Sequence, residues 1–117
     1  MPNEPVQMML LGDAAEHAGV GVVVWNAERR YVAANPCACE LLGTTRDALL
    51  AAPVGTTNRS DEARAAIDSL VANVPAQGST PFTRTDGTAI ELAWFVFPTT
   101  IAGLDHIVGF MWDKATL

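Results

Sequence analysis

Gly19-Val20-Gly21-Val22-Val23-Val24-Trp25-Asn26 and, a short turn and strand later, Ala34-Asn35-Pro36-Cys37-Ala38-Cys39-Glu40-Leu41-Leu42-Gly43 decide the fold when they are read together. Val20 to Trp25 is almost entirely β-branched or aromatic, which predicts a strand buried on both faces. Asn26-Ala27-Glu28-Arg29 supplies a turn, and Arg30 to Ala34 returns as a second strand, so the pair forms a hairpin. Asn35 then offers a capping side chain, and Pro36 suits the first helical position, where its missing N–H leaves nothing unsatisfied. The helix it opens stops at Gly43.

The rest of the chain arranges itself around this unit. Upstream, Pro5 to Leu11 predicts a short apolar helix broken at Gly12; Asp13 and Glu16 open a further helical turn that stops at Gly19. Downstream, Thr45 caps a brief helix to Ala51, and Ala52 to Arg59 reads as irregular. Ser60-Asp61-Glu62 opens the longest helix, with two acids on its positive end and Ile67, Leu70, Val71 and Val74 on one face. Pro75 and Gly78 end it. Thr80 to Thr85 and Thr88 to Phe97 flank Asp86-Gly87, a strong hairpin signal. A loop over Pro98 to Leu104 leads to the last strand, Asp105 to Trp112. Consecutive strands joined by tight turns imply antiparallel pairing, and the fold class is α+β.

Composition narrows the function. The chain has 117 residues, 50% of them apolar and 17% charged, with a mean hydropathy of +0.21. That length makes one domain with a real core, and that balance excludes intrinsic disorder. The net charge of −6 repels phosphate backbones, so no nucleic-acid partner is expected. No apolar run is long enough to span a bilayer, so no membrane partner is expected, and the N-terminus lacks the basic start of a signal peptide. Cys37 and Cys39, two apart on a helix, diverge and do not suit a mutual disulfide, which fits a reduced, cytoplasmic protein. Two cysteines with His17 and His106 far away give no metal-ligand spacing. With no nucleophile–base pair, phosphate loop or paired acids, catalysis is not expected.

These features resemble a PAS domain. The resemblance covers about Asp13 to Thr116 and rests on the two opening stretches, on Arg84-Thr85-Asp86-Gly87-Thr88, and on Val108-Gly109-Phe110-Met111-Trp112-Asp113. It implies a five-stranded antiparallel sheet in order 2-1-5-4-3, with short helices over one face and an N-terminal helix on the other. Residues 1–18 are then an N-terminal cap segment and 19–117 the domain. It also implies a sensory role: a ligand or cofactor inside, homodimerisation through the N-terminal helix and outer sheet face, and output to a downstream effector. The family's closing Asp-x-Thr is matched with a one-residue displacement, as Asp113-Lys114-Ala115-Thr116.

The cofactor is not named by the sequence, but several branches of the family are disfavoured. Photoactive flavin (FMN) binding needs a reactive cysteine where this chain has Gly55-Thr56-Thr57-Asn58-Arg59-Ser60. It also needs amide side chains where this chain has Phe82, Leu92 and Met111, and an unpaired flavin edge there would cost about 1–3 kcal/mol per group. A haem needs an axial histidine on the long helix, and Ser60 to Val74 has none. A thiol-linked chromophore lacks its cysteine. What remains is a pocket for a small apolar molecule, lined by Val23, Trp25, Ala38, Leu42, Ile67, Leu70, Phe82, Leu92, Trp94 and Met111, with Gly21, Ala38 and Gly109 leaving space.

Strand alternation sends a second apolar set the other way: Val22, Val24, Phe95, Phe97, Val108, Phe110 and Trp112. This outer face calls for a cover, and Val6, Met9 and Leu10 of the N-terminal helix are expected to supply it, on the same subunit or on a partner. The leading functional reading is a PAS sensory and dimerisation module of a signalling or transcription-regulatory protein. The alternatives are a ligand-free structural homodimerisation domain and, least favoured, a FAD-binding redox sensor.

Overall fold

A computed structural model describes residues 4–51 and 74–116. The order of elements is α1 (Glu4–Glu16), β1 (Gly21–Asn26), β2 (Tyr31–Ala34), α2 (Pro36–Leu42), α3 (Arg46–Leu50), β3 (Ala76–Thr83), β4 (Ala89–Ile101) and β5 (Leu104–Asp113). The five strands form one sheet in the order β2-β1-β5-β4-β3, every neighbouring pair antiparallel. The expected long helix from Ser60, the irregular stretch before it, and the site candidates Ile67 and Leu70 lie outside the described residues.

The central hairpin and its helix form as their chemistry dictates. Asn26 Oδ1 accepts from the amides of Glu28 and Arg30, which closes the β1–β2 turn and lets Arg29 take a positive φ of 60°. Asn35 caps α2 through Ala38 N, Pro36 occupies the first turn, and Gly43 ends the helix in the left-handed region at φ 68°. Thr45 caps α3 through Ala48 N. Asp86-Gly87 turns β3 into β4, with Gly87 at φ 88°.

Four expectations are corrected. Gly12 does not break α1, which runs unbroken from Glu4 to Glu16; one helical glycine costs about 1 kcal/mol, less than ending a helix that its neighbours favour. Strand β1 is not buried on both faces, since Gly21, Val23 and Trp25 are buried while Val22, Val24 and Asn26 are half-buried. Gly78 stops no helix but lies inside β3, opposite Trp94. A Cβ there would meet the Trp94 ring at 2.8 Å, so the missing side chain makes room for the indole. Finally, residues 98–104 are not a loop: β4 runs on to Ile101 and turns at once through Ala102 and Gly103, both at positive φ, into β5. Pro98 fits in this extension because β3 reaches only as far as Val96, so no strand lies beyond Pro98 on that side to miss its N–H.

The core lies between the inner face of the sheet and α2–α3. Its members include Val23, Tyr31, Ala34, Ala38, Leu41 and Leu49, with Val23 and Leu49 each only 1% exposed.

Candidate functional site

Strand alternation places the expected pocket residues on one face, and α2 closes over them. Val23, Trp25, Ala38, Leu42, Phe82, Leu92 and Met111 are all buried in a single cluster, with Trp94 half-buried against it. A Cβ on Gly21 would lie 2.5 Å from Met111 Cγ and 3.0 Å from Ala38 Cα, and one on Gly109 would lie 3.0 Å from Val23 Cγ2. Met111, Val23 and the α2 backbone thus stand directly against the two glycines. Trp94 Nε1 donates to Thr80 Oγ1 at 3.1 Å, which satisfies the indole inside the sheet rather than aiming it at a ligand.

Among the described residues, a cleft of about 600 Å3 opens at one end of the sheet. The β4–β5 hairpin creates it by running past the end of β1. Strand β1 pairs with β5 only as far as Asn26 opposite His106, whereas β4 and β5 continue to Ile101 opposite Leu104. Trp25 and Ile107, paired across β1 and β5, form the floor; Pro98 and Thr100 of β4, Asp105 of β5 and Val74 stand around it. Asn26, Ala27 and Arg29 of the β1–β2 turn, with Thr99 and His106, complete the lining. His106 Nδ1 lies 2.9 Å from the carbonyl of Leu104. Trp25 is 5% exposed, and its Nε1–H is buried with no hydrogen-bond partner among the described residues. Of the described residues expected to bind a ligand, only Trp25 borders this cleft. Reading 98–104 as a loop hid the rest; Gly103 after alternating residues was the available signal for a tight hairpin.

A second constellation ties α1 to the domain. Asn35, 4% exposed, accepts at Oδ1 from Val22 N and Ala38 N, and donates from Nδ2 to the carbonyls of Ala15 and Val20 at 2.7 and 2.9 Å. Arg46 donates from Nε to Ala34 O and from Nη2 to both oxygens of Glu16 at 2.7 Å. Those bonds raise the Arg46 pKa further, first through the hydrogen bond to Glu16 and then through its charge. Only the root of α1 is held: none of its residues is buried, and Met8, Met9, Leu10 and Leu11 are 66%, 60%, 56% and 70% exposed.

The expectation that Met9 and Leu10 cover the outer face of their own sheet is therefore not met. Four consecutive apolar residues wrap around a helix instead of forming one stripe, so no single side of α1 is suited to lie flat on strands. The outer face itself is less bare than strand alternation alone implies. Val22, Val24, Phe95, Phe97, Val108, Phe110 and Trp112 are each half-buried, and the Phe97 ring stacks on Phe110 at 5.7 Å and leans on Phe95 at 5.8 Å.

Neither thiol is set up for reactivity. Burial, then the Glu40 charge, pushes the Cys37 thiol up, and burial is also the main cause raising Cys39. Among the described residues no three His, Cys, Asp or Glu side chains cluster as a metal site would require, and no helix is long and apolar enough to cross a membrane.

The strand order 2-1-5-4-3, with short helices on the inner face, agrees with solved structures across almost the whole chain. A domain of a sensory box sensor histidine kinase/response regulator from Geobacter sulfurreducens is 24% identical, with a TM-score of 0.76 over 95% of this chain and 97% of that one. This is the PAS fold. A PAS domain from a two-component sensor histidine kinase matches with a TM-score of 0.77 at 10% identity, covering 96% of this chain and all of the other. PAS-fold light-oxygen-voltage proteins match too. An RNA-binding light-oxygen-voltage receptor is 22% identical with a TM-score of 0.81, 97% of this chain aligning with 35% of that one. No protein-family model and no curated protein matches the sequence. Phe82, Leu92 and Met111, the positions at which flavin binding was expected to need amide side chains, are buried apolar side chains.

Proposed function

We propose that this chain is the sensory module of a signalling or transcription-regulatory protein, acting as a homodimer that passes its state to a downstream effector domain or partner. It is not itself an enzyme. Residues 1–18 form the pairing segment and 19–117 the PAS domain. The observation that carries the reading is α1: a helix anchored firmly at Ala15 and Glu16 that holds Met8, Met9, Leu10 and Leu11 out in solvent. A helix apolar on all sides is stable when buried on several sides, and a second copy supplies both its own α1 and its half-buried Phe95, Phe97, Phe110 and Trp112. The firm root suits a signalling role, because a change in the domain is carried to α1 through Asn35 and Arg46.

Hydrogen exchange across a protein concentration series tests this. Amides of α1 should become protected as concentration rises, together with outer-face residues of β4 and β5. Exchange in α1 that does not depend on concentration overturns the homodimer.

A ligand-free structural homodimerisation domain is the second reading, and the filled space beside Gly21 and Gly109 favours it.

A further inference from the structure

We infer that His106 makes the pairing of two copies pH-sensitive: the imidazole stands in the surface that the second copy covers, and its protonation separates them. The inference rests on the homodimer proposed above and names a regulator of that same interface.

The strand register places the ring. Phe95 pairs with Phe110, Phe97 with Val108, Thr99 with His106 and Ile101 with Leu104, in unbroken alternation along β4 and β5. On β1, the first three of these rungs continue into Val22, Val24 and Asn26. Phe97 stacks on Phe110, so the series belongs to the outer face, and half-buried His106 lies in it between apolar rungs. The rung beyond is open to solvent, with Leu104 67% and Ile101 42% exposed. A second copy that covers Phe97 and Phe110 and shields this exposed pair also covers His106.

The ring's own bonding identifies the atom that matters. Nδ1 lies 2.9 Å from the carbonyl of Leu104, which can only accept, so Nδ1 carries the hydrogen. In the neutral ring Nε2 is then bare, and acid adds a proton and a positive charge there. The rung partners Asn26 and Thr99 are uncharged and do not offset it. Asp105 precedes His106 but alternates to the other face. The turn after Asn26 holds Glu28, Arg29 and Arg30, a net positive group that does not favour another cation. The α1 of a second copy brings Glu4, Asp13, Glu16 and His17, of which Glu16 is engaged by Arg46.

Burying an imidazolium against apolar rungs is costly, so the dimer takes the neutral ring. Histidine changes charge between pH 5 and 8, so association is strongest above that range and weakens as the pH falls through it. General charge loss acts the other way. The chain carries −6 at pH 7 and loses that charge toward its pI near 4.6, which reduces repulsion between copies. The two causes therefore predict opposite signs.

Sedimentation velocity of the full chain at pH 7.5 and pH 5.5, at one ionic strength, is the test. The dimer dissociation constant should rise about tenfold or more at the lower pH. His106→Gln should lose that rise, and His17→Gln should keep it. In the unmodified chain, the ring C–H resonance of His106 should hold its neutral position to lower pH in concentrated than in dilute samples. The inference is overturned by a dissociation constant that stays level or falls at pH 5.5, as general charge loss or a partner carboxylate against the ring would produce. It is equally overturned by a rise that persists in His106→Gln, or by a His106 titration that ignores concentration. A dimer equally tight at both pH values removes this inference alone, whereas a monomer at both removes the homodimer with it.

Discussion

Arg46 and Glu16 lie 30 residues apart in the chain, yet one guanidinium nitrogen of Arg46 donates to both carboxylate oxygens of Glu16 at 2.7 Å. The same side chain reaches the carbonyl of Ala34, so one residue of α3 joins the end of α1 to the end of β2. The pair is exposed, and exposed ion pairs add little to global stability. Arg46→Ala should therefore leave the melting temperature almost unchanged while hydrogen exchange at the α1 end, His17 and Ala18 included, becomes faster. A large fall in melting temperature with unchanged exchange would show that Arg46 serves the core rather than the helix root.

Asn35 should behave differently, because it is buried and satisfies four backbone groups. Asn35→Ala strands Val22 N–H and the carbonyl of Val20, leaves the Ala15 carbonyl only its bond from Ala18 N, and removes the α2 cap, a loss of about 3 kcal/mol by denaturant unfolding. Asn35→Asp keeps both acceptor bonds but has no N–H to offer Ala15 and Val20. It should recover part of the stability and still loosen the end of α1. Equal losses in the two variants would mean that the Oδ1 acceptor bonds contribute nothing, and an unchanged Asn35→Asp that the Nδ2 bonds contribute nothing.

Gly21→Ala tests how tightly the core is filled. Its Cβ would sit 2.5 Å from Met111 Cγ and 3.0 Å from the Ala38 backbone. The side chain can shift but the backbone cannot easily, so a destabilisation of about 1–3 kcal/mol is expected. Adding Met111→Ala should relieve part of the clash, so the double variant should be more stable than the sum of the two single losses. Strict additivity would mean that the two positions do not compete for space.

Tyr31 is the chain's only tyrosine, and burial pushes its pKa up to about 12. The folded pKa exceeds the unfolded value near 10, so the stability linked to the neutral phenol is fully present below pH 10 and is lost as the pH rises toward about 12. Phenolate absorbance of the folded chain should stay absent at pH 10.5, where a denatured chain is largely ionised. Equal absorbance in both states at that pH would place Tyr31 in solvent.

Much of the fold was legible because its signals are local. Asn35-Pro36, Gly43, Thr45 and Asp86-Gly87 each act through bonds a few residues long, and the structure keeps every one of them. The errors arose where a distant partner decides. Gly78 reads as a stop in isolation, but the ring of Trp94 across the sheet makes it a strand residue. Pro98 reads as a loop, but the early start of β3 leaves it harmless in a strand. The site suffered most, because alternation identifies which residues share a face but not how much space they enclose. Val23, Met111 and Ala38 do stand close together, around Gly21 and Gly109. The Asn35 and Arg46 links to α1 join residues far apart in the chain, beyond what spacing alone can reveal.

In the proposed dimer, α1 and the outer face of the sheet pair two copies of this chain. Sedimentation velocity of the unmodified chain, run beside Met9→Glu/Leu10→Glu, tests it most directly. The unmodified chain should sediment at twice its 12.4 kDa mass at tens of micromolar, and the variant, with an unchanged melting profile as a monomer, at the single mass. A 12.4 kDa species for the unmodified chain at millimolar concentration, or a dimer that survives both substitutions, would contradict it.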